Sequence, residues 1–337
     1  MEFKEIKVGT LHKVSIIIPN YNGLKYIKVC LESLYRQSFV SFDVIIVDNA
    51  SQDGSCEFIL KNYPKEKLIS LKENYGFSKA VNDGIKVSNS PYVVLLNNDT
   101  EVDKFWLENL VECIETDGKI FSCGSKMIRY SERNKIDDAG DEYNILGWAY
   151  KRGDGVSINK YDSNCEVFSN CAGAAIYRKD LLDKVGYFDE SFFAYMEDVD
   201  ISYRAKLNGY KNIYCSKAIV YHIGSATSGS KYNSFKVRLA GRNNIYVVLK
   251  NMLILQLIIN FPFLIMGFLV KTIFFYKIGF GNEYINGIKE AFHNYSLIKK
   301  TKYYNKNFVN YLRVEYELII NTFYYIILKL KNIKYLS

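Results

Sequence analysis

No histidine cluster, no paired-cysteine motif and no glycine-rich phosphate loop occurs in this chain, and each absence removes a class of protein. His12, His222 and His293 are the only histidines among 337 residues, too few and too scattered for an all-histidine metal site. The seven cysteines are odd in number and form no CxxC pair. They read as reduced, mostly buried thiols of a cytosolic protein rather than as a secreted disulfide framework. GxGxxG does not follow the first apolar strand and GxxxxGK is found nowhere, which disfavours a dinucleotide oxidoreductase or a P-loop NTPase; HExxH and GxSxG are missing too. The start of the chain is charged up to Lys13, and the apolar run at 14–18 is too short for the core of a signal peptide. Acidic residues are scarce at the other end. From residue 226 onward there are 16 Lys and Arg against four Glu and no Asp, although the whole chain nets only +8. The part before is therefore slightly acidic, and the basic end has a different job.

What is present begins with alternating strands and helices. Residues 14–18 form a β-branched strand ending at Pro19, followed by the loop Asn20-Tyr21-Asn22-Gly23. Leu24, Ile27, Leu31 and Leu34 then repeat at helical spacing. A second strand at 44–47 runs into a polar loop at 48–55 that contains Asp48 and Asp53, and a third strand follows at 68–71. After the helical pattern of Ala80, Val81, Ile85 and Val87, a breaker at 89–91 precedes a fourth strand at 92–96. Such alternation predicts a mostly parallel sheet with helical crossovers. The fourth strand is unbrokenly apolar and ends in Asn97-Asn98-Asp99, at the strand end where open α/β sheets bind ligands. Capping of the next helix by Thr100 or Asp103 is the structural alternative for these polar residues.

Residues 140–156, rich in Gly and Asp, read as a loop. Around Gly173, small residues at 170–177 leave room for close approach to the backbone, or else mark a tight core strand. Glu197, Asp198 and Asp200 open a helix whose buried face is Val199, Tyr203 and Leu207. One acid there is good helix electrostatics, whereas three in four positions point to a site. A short strand then leads to His222 and a Gly/Ser-rich stretch.

In this order, segments 14–23, 47–55, 74–85, 95–103, 173–175, 186–209 and 220–225 resemble glycosyltransferase family 2, most closely its rhamnosyltransferase-like members. The likeness covers about residues 13–225. It implies an inverting enzyme of GT-A fold: a mostly parallel α/β sheet flanked by helices, followed here by a helical C-terminal extension. The implied division is a catalytic domain over 1–228 and a basic, apolar region over 229–337. The implied donor is a UDP- or dTDP-sugar, rhamnose being one candidate, and the implied acceptor a glycan or a lipid-linked hydroxyl. On this resemblance Pro19, Asn20, Tyr21, Asp48, Asp53, Asn74, Asn97, Asn98, Gly173 and Glu197 contact substrate. Asp48 would accept the ring N–H of the pyrimidine. Asp99 and His222 would hold Mg²⁺ or Mn²⁺, and Asp198 would act as base. Asn97 stands where the family often has a first aspartate, so one charge fewer faces the cation. A pyrimidine nucleotidyltransferase, or an inactive membrane-associated scaffold that binds nucleotide sugars, is the alternative. The first of these should carry a basic glycine-rich loop after strand one, which Asn20-Tyr21-Asn22-Gly23 is not.

The basic end contains twenty uncharged residues, 251–270, enough to span a bilayer by length. Gln256, Asn260, Gly267 and Lys271 nevertheless mark a polar stripe, Pro262 interrupts the middle, and basic residues flank both sides. The expectation is a helix lying on the cytoplasmic face of a membrane, with nucleic acid excluded by the long aliphatic runs and an oligomer left open. A helix packed on the catalytic domain is the alternative.

Overall fold

The computed structural model describes residues 12–224 and 232–334. The start of the chain, the Gly/Ser-rich stretch after Gly224 and the expected boundary at 228/229 lie outside the described residues. The first part runs β1 (Val14–Asn20), α1 (Leu24–Leu34), β2 (Phe42–Asp48), α2 (Ser55–Asn62), β3 (Lys67–Ser70), α3 (Phe77–Val87), β4 (Tyr92–Leu96), β5 (Thr100–Val102) and α4 (Trp106–Glu115). The middle comprises β6 (Ile120–Arg129), β7 (Ile136–Asp138), β8 (Asp141–Tyr143), β9 (Ala149–Lys151), β10 (Cys165–Val167), β11 (Ala174–Arg178), α5 (Lys179–Val185), α6 (Glu197–Leu207) and β12 (Lys211–His222). The last part is helical: α7 (Ser234–Asn251), α8 (Ile254–Lys277), α9 (Gly281–His293) and α10 (Phe308–Lys334).

The main sheet has the order β10-β12-β6-β11-β4-β1-β2-β3. Its β3-β2-β1-β4 half is parallel, as the alternating pattern predicts. Ile16, Ile17 and Ile18 are fully buried because helices cover both faces of this half. Gly84 of α3 lets that helix sit directly on β1, since a Cβ there would lie 2.4 Å from Ile17 Cγ2. Beyond β4 the sheet is mixed: β11 runs antiparallel to both β4 and β6, whereas β12 runs parallel to β6. The reversal follows from the chain route, which reaches β11 from β10 without a crossover helix. Thr100, one of the two residues that the structural alternative offered as a helix cap, does not cap α4. Thr100 instead starts β5, which pairs antiparallel with β12 and sets Thr100 opposite His222.

Residues 140–156 hold a short hairpin, β8–β9, where a loop was expected. Each strand has three residues, too few for alternation to show in sequence, and the Gly and Asp signals mark the bends. Asn144 Oδ1 closes the turn by accepting from the N–H groups of Leu146 and Trp148, both at 3.1 Å.

The C-terminal helices share an apolar core with the preceding α/β part. One apolar cluster joins Tyr143, Phe168, Tyr203 and Leu207 to Val247, Leu264, Tyr311 and Leu318. Buried ion pairs cross the same interface: Lys250 Nζ lies 2.9 Å from Asp200 Oδ2 and 2.5 Å from Asp189 Oδ2. Lys250→Met is expected to destabilise the chain by about 3 kcal/mol, because the buried Asp200 and the half-buried Asp189 both lose this cation, although Asp200 keeps Arg204. Denaturant unfolding measures this, and an unchanged midpoint would mean that the helices are not anchored here.

Candidate active site

A cavity of about 770 Å³ opens at the carboxyl ends of β1 and β4 and at the N-terminus of α6. All the residues expected at the site line it, except Asp48 and Asp53. Pro19 and Tyr21 follow β1, Asn74 lies before α3, and Asn97, Asn98 and Asp99 follow β4. Gly173 faces Asn97: a Cβ there would lie 2.7 Å from Asn97 Nδ2, so the small residue makes room for that amide.

Asp48 does not present its carboxylate to the cleft. It is buried, accepting from Asn20 Nδ2 at 2.7 Å, Ser51 Oγ at 2.6 Å and Ser51 N at 2.9 Å. Asn98 Nδ2 in turn donates to Asn20 Oδ1 at 2.7 Å, so Asn20, Asp48 and Asn98 form one satisfied network that braces the strand ends. Asp53 accepts from Leu24 N at 2.8 Å and Ser55 N at 3.1 Å, serving the free N–H groups at the starts of α1 and α2. The neighbour of Asp48, Asn49, lines the cleft instead. Successive residues at a strand end point to opposite sides, so it is Asn49 and not Asp48 whose side chain meets the cleft in this structure. Asn49 Nδ2 donates to Gly76 O at 3.1 Å and its Oδ1 accepts from Tyr75 N at 3.3 Å, tying the β2 end to the loop of Asn74.

Pairing of β5 with β12 brings Asp99 and His222 together, with His222 Nε2 3.5 Å from Asp99 Oδ1. On its other side His222 Nδ1 lies 2.8 Å from Asp137 Oδ2, a carboxylate absent from the expected set. Burial pulls the imidazole pKa down, but the carboxylates of Asp137 and Asp99 outweigh it and raise it to about 9. A carboxylate behind an imidazole is the arrangement that orients a metal-binding histidine. Among the described residues no three His, Cys, Asp or Glu side chains converge as a closed metal cage. Two ligands facing a roomy cleft fit a hard cation that takes its remaining oxygens from phosphate and water.

Asp198 and Glu197 open α6 at the cleft wall. Asp198 is half-buried, its Oδ1 accepting from Val199 N at 2.8 Å and its Oδ2 lying 3.4 Å from Ala172 N. Burial raises its pKa despite these bonds, which makes it a better proton acceptor than an ordinary aspartate. Glu197 is nearly fully buried, with Oε2 bonded to nothing, and burial together with Asp198 pushes its pKa well up. The third acid has another role. Burial would raise Asp200, but Lys250 and Arg204 hold it below the usual range, and it faces α7 rather than the cleft.

The backbone before this pair is strained. Phe193, Tyr195 and Met196 all have left-handed φ, at 64°, 68° and 72°. Such residues persist only where the surroundings over-determine them. Asn243 of α7 supplies that constraint, its Nδ2 donating to the carbonyls of Phe192, Ala194 and Tyr195 at 3.0, 2.9 and 2.7 Å. No local pattern marks Asn243, which acts on residues nearly fifty positions away.

The profile of Glycosyl transferase family 2 matches residues 15–186, about half of the chain. Poly-beta-1,6-N-acetyl-D-glucosamine synthase of Staphylococcus aureus (strain COL) is 27% identical over 243 residues, covering 70% of this chain and 56% of that protein. The chain spans between 35% and 56% of the length of the curated relatives it matches. Among solved structures, GalNAc-T7 with UDP, GalNAc and Mn²⁺ superposes with a TM-score of 0.58 at 16% identity, over 71% of this chain and 48% of that one. Mannosyltransferase PcManGT from Pyrobaculum calidifontis, in complex with GDP-Man and Mn²⁺, gives a TM-score of 0.53 at 14% identity, over 91% and 84%. These likenesses show the fold, a GT-A-type sheet flanked by helices. With the profile match over half its length and the fold in agreement, the chain belongs to glycosyltransferase family 2.

Proposed function

We propose that this chain transfers a sugar from a nucleotide-sugar donor to a hydroxyl of a glycan or lipid-linked acceptor, with inversion at the anomeric carbon and Asp198 as base. The observation that carries this reading is one cleft holding a half-buried carboxylate of raised pKa together with the Asp99–His222 pair. Asp198 takes the proton of the acceptor hydroxyl as its oxygen attacks the anomeric carbon, and the bond from that carbon to the diphosphate oxygen breaks on the opposite side. Asp99 and His222 would hold Mg²⁺ or Mn²⁺, which supplies neutralisation of the diphosphate charge when bound; the Mn²⁺ of both structural neighbours supports this. Pro19 and Tyr21 line the cleft and would flank the base, and Asn49 beside them keeps one amide hydrogen and one oxygen lone pair beyond its bonds to Gly76 and Tyr75 for the edge of uracil or thymine. UDP- and dTDP-sugars, rhamnose included, are therefore the first donors to try.

Thermal shift across UDP-, dTDP- and GDP-sugars with Mn²⁺ tests the reading. A donor at a hundredfold excess over its Kd adds about 2.7 kcal/mol of native-state stability. The absence of a shift with every nucleotide would contradict it.

The same proposal places the protein on the cytoplasmic face of a membrane. Helix α8 is long and apolar enough to span a bilayer by composition, but it lies along the rest of the molecule. Gln256 Nε2 donates to Glu315 Oε2 at 2.8 Å near its start, Gly267 O accepts from Trp148 Nε1 at 3.2 Å in its middle, and Phe275 stacks on Tyr284 near its end. The polar stripe thus faces inward. The outward face carries Ile258, Phe261, Leu269 and Ile273, each more than half exposed. Exposed Lys277, Lys289, Lys299 and Lys300 with Tyr295, Tyr303 and Tyr304 supply the basic and aromatic border suited to anionic headgroups. The full chain should pellet with anionic vesicles, and an Ile258→Glu/Phe261→Glu/Leu269→Glu variant should stay in the supernatant. A wild type that ignores such vesicles would defeat the membrane assignment. Truncation is the poorer test, because the tail completes the core.

A further inference from the structure

The wall of the cleft beside Asp198 carries a second polar group with no part in proton transfer or metal binding. Asp138, at the end of β7, is 1% exposed and lines the cleft. Its Oδ1 accepts from Gly140 N at 2.7 Å, while its Oδ2 has no partner. Asp141, Lys151 and Cys171 line the same wall, and Lys151 and Asp141 face each other in the register of β8 and β9. A buried carboxylate oxygen left unbonded costs free energy unless something completes it. Lys151 Nζ is engaged 3.1 Å away with Asp137 Oδ1 and does not reach Asp138 within bonding distance. A metal ion is a poor occupant, since the Lys151 ammonium already supplies positive charge on this wall. Carboxylate acceptors set beside an ammonium donor match neutral ligands that both donate and accept, which is the chemistry of adjacent hydroxyls on a sugar ring.

We infer that Asp138, with Asp141 and Lys151, forms a sugar-binding cup in which Asp138 Oδ2 accepts a hydrogen bond from a ring hydroxyl of the pyranose held beside Asp198. This inference rests on the glycosyltransferase reading. The ring belongs either to the donor sugar or to the acceptor sugar, and the two are separable by experiment.

Asp138→Asn keeps the Gly140 bond and exchanges the open acceptor for a donor, so the fold is retained while the cup loses its function. Wild type and variant are compared by calorimetry with UDP and UDP-sugars in Mn²⁺, and by transfer kinetics to a panel of 4-nitrophenyl glycosides; melting temperature and UDP affinity report folding. The expected result is an intact UDP affinity with a loss of about 10–100-fold in one sugar-dependent quantity. If the donor sugar occupies the cup, the extra affinity of the UDP-sugar over UDP disappears. If the acceptor does, the glycoside KM rises while UDP-sugar affinity holds. Asp141→Asn should weaken the same quantity as Asp138→Asn. A folded Asp138→Asn protein that matches the wild type in both quantities overturns the cup alone. A wild type that binds none of the donors removes the glycosyltransferase reading and the cup with it.

Discussion

Asp198→Asn is expected to lower kcat by about 10²–10⁴-fold while leaving nucleotide affinity nearly intact. The substitution is close to isosteric and can still accept from Val199 N through its amide oxygen, the bond that orients the side chain. What it removes is the atom that would take the acceptor's proton. Asp200→Asn, two residues along the same helix, should behave oppositely. Its carboxylate is enclosed by Arg204, Lys250 and Asn251, so the damage appears in stability rather than in turnover of the folded fraction. Steady-state kinetics and denaturant unfolding of both variants distinguish the roles. Near-wild-type kcat in Asp198→Asn would remove it as the base.

The second large effect concerns the cation. Activity is expected to vanish in EDTA and to return with Mg²⁺ or Mn²⁺, and Asp99→Ala and His222→Ala should each abolish metal-dependent donor binding. Asp137→Asn should weaken that binding by about 10–100-fold without touching the ion, because Asp137 sits 2.8 Å behind His222 and sets its orientation. Asn97→Asp should strengthen it or leave it unchanged, since it would add a charge beside the two proposed ligands, Asp99 and His222. Calorimetry of Mn²⁺ with and without UDP or dTDP follows all four. Full activity in EDTA would show that Asp99 and His222 have another purpose.

The first hundred residues were legible because every strand there is a short apolar run ending in a polar loop, and local pattern suffices for such units. The direction of β11 was not legible, since reversal depends on the route of the chain and not on the composition of 174–178. At the site itself the loop was legible, but which of its side chains meets the cleft depends on the face of the strand end: Asn49 lines the cleft while Asp48 is buried in a hydrogen-bonded network. Asp137 and Asp138 carry no local signal of a role, because what they meet, His222 and the cleft, is brought to them by distant strands. The stripe of Gln256, Asn260, Gly267 and Lys271 was correctly drawn along one side of a helix, through Pro262 without a break. Spacing tells which residues share a face and not which way that face turns. Here it turns inward because Glu315, Tyr311 and Leu146 receive it. Asn243 left no trace at all, for its function is defined wholly by three carbonyls in another part of the chain.

Inverting transfer with Asp198 as the base shows itself in the anomeric configuration of the product. The full chain is incubated with Mn²⁺, the nucleotide sugars that bind it, and either 4-nitrophenyl glycosides or water as acceptor, and the new anomeric proton is followed by NMR. A product of configuration opposite to the donor, formed by the wild type and not by Asp198→Asn, is the predicted result. A product of retained configuration, or one formed equally by Asp198→Asn, would contradict it.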